Sequence, residues 1–197
     1  MSSSIQKTDL IGVILAGGQS TRMGIDKRSL VLHGVPQLEH MFSLLRSMGL
    51  HVVTSCRPAD PVPDHFHPMT DSTRVAGPFA GIMTALKEHA GKGVLTFPVD
   101  MPHIGPETIE ELIEHRDAER MATCFLNPMT GRAEPLLTIW EPGSLEAMIH
   151  WTEAGNSSPL DFLQAHPVKM VAASDSRWFL NLNTPEDLAR FREATEP

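Results

Sequence analysis

The sequence predicts a three-layer α/β/α fold built on a mostly parallel central sheet, and three observations carry that expectation. Short β-rich runs alternate with amphipathic helical stretches, as in a parallel sheet covered by helices on both faces. The helical stretches have clear start and stop residues, and no repeat, low-complexity tract or linker interrupts the series. With 197 residues, 41% hydrophobic and 20% charged, the composition suits one compact unit large enough to bury a core. We therefore expect a short lead-in over 1–9 and a single domain over 10–197.

The elements follow in order. Strands are expected over 11–15, 51–55, 94–99, 121–126, 136–140 and 168–172, each a short run of apolar and β-favouring residues. A helix over 36–48 repeats Leu38, Met41, Phe42, Leu45 and Met48 at three- and four-residue spacing, and Gly49 follows as its stop. Gly77-Pro78 opens another, carrying Phe79, Ile82, Met83 and Leu86. A helix over 106–116 buries Ile109, Leu112 and Ile113 and turns Glu107, Glu110, Glu111 and Glu114 to solvent. The last starts at the N-cap Thr184, with Pro185 in its first turn, Asp187 three residues after the cap, and Leu188 and Phe191 facing inward. The proline-rich stretch 57–68 reads as a surface loop, and its His65 and His67 lack a third ligand for a metal.

Composition also narrows function. A formal charge of −8 argues against a general nucleic-acid binder, so an anionic ligand needs a local basic site. The longest apolar runs fall well short of the roughly 20 residues that cross a bilayer, and residues 1–9 lack the pattern of a secretory signal. A cytoplasmic protein with no membrane contact is expected. Cys56 and Cys124 have no C-x-x-C or Cys/His ligand spacing around them and read as reduced thiols in or near the core.

The first chemically informative segment runs from Leu15 to Lys27, directly after the first strand. Gly17, Gly18 and Gly24 let the backbone turn sharply and present amide N–H groups to phosphate oxygens, while Arg22 and Lys27 add positive charge beside them. Neither G-x-x-x-x-G-K-[ST] nor G-x-G-x-x-G is present. Taken alone, the segment reads as readily as a glycine-rich turn with surface basic residues.

As L-A-G-G-x-S-x-R-M-G-x-D-K, however, it resembles the signature loop of the molybdenum cofactor guanylyltransferase family. Further blocks resemble that family in the same order: Asp71-Ser72 followed by Gly77-Pro78-Phe79-Ala80-Gly81-Ile82, then Pro98-Val99-Asp100-Met101-Pro102, then Glu134-Pro135-Leu136. The stretch from Phe179 to Leu188, with N-x-N-T-P-E-D-L, completes a similarity over residues 11–192. The resemblance implies a Rossmann-like nucleotidyltransferase fold and transfer of GMP from GTP to molybdopterin, with release of pyrophosphate and with Mg²⁺ as cofactor. It implies Arg22, Lys27 and Asp100 as catalytic residues and Asp100 as the metal ligand. GTP binding falls to Leu15, Ala16, Gly17, Gly18, Lys27, Ser55, Asp71 and Asp100, and molybdopterin binding to Asn181 and Asn183. The implied partners are these two substrates, with transient contacts to other molybdenum cofactor biosynthesis or target enzymes.

Each residue also has a reading of its own. Asp100 follows an apolar run, so it emerges at the carboxyl end of a buried strand, where ligands of open α/β sheets bind; it is also placed to cap a turn before Met101-Pro102. Asp71 is open to a local turn role, and Asn181 and Asn183 to turn and cap roles before the last helix. Two departures from the family pattern stand out. Ser55 takes the place of a nucleotide-contacting asparagine, and the stretch 155–163 lacks basic residues, leaving Arg132 or Arg177 to supply charge. A sister transferase using CTP or another phosphorylated acceptor, and a nucleotide-binding module without turnover, remain the rival readings.

Overall fold

The computed structural model describes residues 9–17, 26–59, 62–73, 75 and 77–195. The strands are β1 (Leu10–Leu15), β2 (His51–Cys56), β3 (Pro68–Thr70), β4 (Gly93–Pro98), β5 (Ala122–Asn127), β6 (Arg132–Trp140) and β7 (Lys169–Ala172). They form one seven-stranded sheet in the order β3-β2-β1-β4-β6-β5-β7. All neighbours pair parallel except β4 with β6 and β5 with β6, so β6 alone runs against the rest. The cause is local. Thr130 and Gly131 both donate their N–H to the Asn127 carbonyl, and Gly131 sits at φ 66°, a conformation glycine adopts without a Cβ clash. A chain that reverses this tightly must pair antiparallel.

The helices are α1 (Gln37–Ser47), α2 (Pro78–Glu88), α3 (Pro106–Glu114), α4 (Ser144–Glu153), α5 (Pro159–Ala165) and α6 (Pro185–Thr195). Alternation along the strands sorts the core into two layers. Ile14, Leu95 and Phe97 pack on one face against Leu38, Met41 and Leu45 of α1 and Ile109, Leu112 and Ile113 of α3. On the other face, Ile11, Val13 and Val94 meet Phe79 and Ile82 of α2, Met148 of α4 and Phe162 of α5. Each such side chain contributes about 1.5–3 kcal/mol by burial, which is what fixes strand register and helix orientation. A third cluster joins Leu30 to Leu182, Leu188 and Phe191, and so brings α6 over the segment that follows Lys27.

The stretch 57–68 departs from a plain surface loop. Val62 and Phe66 are buried in the α1 layer, Asp64–Phe66 form a 3₁₀ turn, and Pro68 begins β3. Of its histidines, His65 is exposed against Phe66, and His67 places Nδ1 3.0 Å from the Val52 carbonyl. Cys56 and Cys124 are buried and unbridged, and burial pushes the Cys124 thiol up to about 12. No helix among the described residues is long and apolar enough to cross a membrane.

Candidate active site

The carboxyl ends of β1, β2 and β4 open into a cavity of about 530 Å³. Leu15, Ala16 and Gly17 leave β1 along its wall, and the Ala16 N–H donates to the Ser55 carbonyl, tying the first turn to the end of β2. Ser55 and Arg57 come from the end of β2, Asp71 from the segment after β3, and Pro98, Val99 and Asp100 from the end of β4. Gly77 and Pro78 present the N-terminus of α2, where Gly77 adopts φ 79° and needs its missing Cβ. That helix end turns its positive pole toward the cavity. Gly18 and Arg22 lie outside the described residues, as does the lead-in up to Thr8.

Two polar constellations contribute to the lining. In the first, the Lys27 ammonium donates to Asp100 Oδ2 at 2.9 Å and to Asn183 Oδ1 at 2.7 Å. In the second, the Ser55 hydroxyl donates to Asp71 Oδ1 at 2.8 Å. Burial raises the Asp71 carboxyl above the usual carboxylate range, opposed by the Ser55 bond and by the charge of Arg57. Ser55 is itself 3% exposed because α2 comes close at Gly81, where any Cβ would run into the serine side chain. Its hydroxyl therefore serves Asp71 directly.

The segment before α6 separates the two asparagines. Leu182 donates its N–H to the Asp100 carbonyl at 2.8 Å, which lays the segment across the end of β4. Capping of α6 falls to Thr184 and Asp187: Asp187 Oδ2 accepts from the N–H groups of Asn183 and Thr184, and Thr184 Oγ1 accepts from the Asp187 N–H. The Asn183 side chain is thus left to Lys27, while the Asn181 amide donates locally to the Phe179 carbonyl at 3.4 Å.

A family model described as the MobA-like NTP transferase domain matches residues 12–170. The chain belongs to this family. It is 34% identical to the molybdenum cofactor guanylyltransferase of Rhizobium johnstonii, across 94% of this chain and 92% of that one. It is 29% identical to the molybdenum cofactor biosynthesis bifunctional protein of Synechocystis sp., matching 94% of this chain and spanning 54% of that longer protein. The fold is likewise similar to that of molybdopterin-guanine dinucleotide biosynthesis protein A from Archaeoglobus fulgidus, with a TM-score of 0.74 at 24% identity, covering 93% of this chain and 97% of the other. This MobA-like transferase is accordingly a nucleotidyltransferase.

Several cavity residues of the transferase escape a sequence reading. Arg57 opens the proline-rich stretch, yet it lines the cavity beside Gly17. Arg28 also lines it, with its guanidinium forked onto Asp26 at 2.7–2.9 Å, a pairing that holds the Asp26 carboxyl below its ordinary range. The aspartate two positions before an arginine, in a turn, was the available signal. Leu136 reaches the cavity from β6. Behind it the buried Glu134 accepts from Asn127 Nδ2 and the Leu136 N–H, and burial, reinforced by the nearby Asp100 charge, raises its carboxyl. Arg132 and Arg177 lie elsewhere: Arg132 extends toward Asp161 and Gln164, and Arg177 forks onto Asp175.

Proposed function

We propose that this chain is a molybdenum cofactor guanylyltransferase acting in the cytoplasm, which transfers GMP from GTP to molybdopterin. The observation that carries this reading is the convergence of Lys27, Asp100, Ser55 and Asp71 on one cavity, in a chain of this family. A phosphate oxygen of molybdopterin forms a bond to the α-phosphorus of GTP as the bond from that phosphorus to the β-phosphate oxygen breaks. Pyrophosphate departs with the bonding electron pair. The nucleophile is already anionic, so no side chain has to remove a proton.

Positioning and charge then supply the catalysis. We assign the backbone from Leu15 to Gly18 to the phosphates, with Arg22 and Lys27 neutralising their charge. Asp71 accepts from the nucleotide through the carboxylate oxygen that Ser55 does not occupy. Asn181 and Asn183 face the pterin substrate. The donor set fits Mg²⁺, which takes one or two protein carboxylates and otherwise phosphate and water oxygens. Asp100, partly exposed at the mouth of β4, is the residue that would hold it, and the ion would supply charge neutralisation at the phosphates.

Incubating the protein with GTP, Mg²⁺ and molybdopterin and weighing the products by mass spectrometry tests the assignment. The guanine dinucleotide and pyrophosphate are expected, with no product once a chelator is added. A cytosine dinucleotide formed faster from CTP would overturn it.

A further inference from the structure

Lys27 Nζ bridges two groups that the proposed function gives to different substrates: Asp100 on the nucleotide side and Asn183 on the pterin side. The two lie far apart in sequence, on the β4 end and on the segment before α6, and the lysine joins their side chains. An ammonium offers three protons from a single point charge. Lys27 and Asp100 line the cavity and Asn183 is not among its lining residues, so an ammonium drawn into the cavity by a triphosphate moves away from Asn183.

We infer that Lys27 is an exchangeable latch that couples the two substrate sites. Without nucleotide it keeps the Asn183 amide turned to itself; nucleotide draws Lys27 onto the phosphates and frees that amide for the second substrate. Nucleotide binding therefore favours molybdopterin binding. This rests on the functional reading above and adds to it the coupling between the two substrates.

The surroundings suit an exchange confined to side chains. The backbone on either side of Asn183 is pinned, since Leu182 N–H is held by the Asp100 carbonyl and the Asn183 and Thr184 N–H groups by Asp187. Asn183 is itself exposed, so competing ligands and water reach its bond to Lys27. Asn181 lacks this coupling, because its amide is engaged with Phe179. Coupling of this kind is reciprocal, so whatever nucleotide does for the pterin site the pterin does for nucleotide.

The test has an unusual sign. Asn183→Ala removes one of the bonds that Lys27 must leave, so calorimetry with GTP and Mg²⁺ should show binding about two- to tenfold tighter than wild type. The same variant should raise the KM for molybdopterin. Asn183→Leu, which keeps the volume and removes the acceptor, should give the same tightening and guards against a packing defect. Unchanged or weaker GTP binding in both folded variants would overturn the latch, because an asparagine that merely braces the site loosens both substrates when removed. Failure of the wild-type protein to bind GTP at all would instead overturn the functional reading on which the latch rests.

Discussion

Two ion pairs stand at opposite ends of β4, and they are built differently. At its start, Arg116 forks onto Glu141 with bonds of 2.7 and 2.8 Å, and the side chains are 10% and 2% exposed. Gly93 leaves the space this arginine occupies, since a Cβ there would come within 2.9 Å of its guanidinium. At the other end, Lys27 meets Asp100 through one 2.9 Å bond, with side chains 14% and 23% exposed, and shares its protons with Asn183. A fork of planar groups in a dry setting holds its geometry, whereas a point charge at a cavity mouth can trade partners at modest cost. The first pair belongs to the scaffold, and the proposed function gives the second to the chemistry.

Substitutions should separate the two ends. Arg116→Ala strands the Glu141 carboxylate, and leaving a buried charge uncompensated costs about 3–5 kcal/mol. Chemical denaturation should register that loss, while activity per folded molecule stays near wild type. Lys27→Ala should do the reverse. Unfolding free energy should move by no more than about 1 kcal/mol, as for a partly exposed pair. GTP affinity should fall roughly 10- to 150-fold, from about 1.5–3 kcal/mol of charge-assisted bonding. GMP should lose less, and equal losses in titrations of the two nucleotides would move Lys27 away from the polyphosphate.

The smallest effect concerns protons. Burial raises the Asp71 carboxyl and the Ser55 hydroxyl partly restrains it, so Ser55→Ala should raise it further. A carboxyl raised in the folded state favours the fold while protonated, and that contribution is lost as the pH climbs through the raised value. By NMR, the Asp71 titration in Ser55→Ala should shift to higher pH, and the acid limb of GTP binding should follow. An unmoved titration would mean that the hydroxyl does not reach Asp71 in solution.

The sequence made much of this legible where a local pattern coincided with the structure. The runs that became β1 and β4 stand out because strands buried on both faces are nearly continuous in apolar residues. Asp100 was visible for the same reason, as the polar residue just past such a run. β3 was hidden because three residues are too few to show a period. The reversed direction of β6 was carried by the turn at Gly131, which reads as a loop until both flanking strands are recognised. The amide of Asn183 was the hardest to read. Its backbone does serve the start of α6, so cap chemistry explained the residue without reference to Lys27, 156 positions away.

Asp100→Asn tests the central claim most directly, because it removes the carboxylate charge at the mouth of β4 while nearly preserving shape. The purified variant should unfold within about 1 kcal/mol of wild type, as expected for a partly exposed site, and should form no guanine dinucleotide from GTP, Mg²⁺ and molybdopterin. A folded variant that makes the dinucleotide at the wild-type rate would contradict the account.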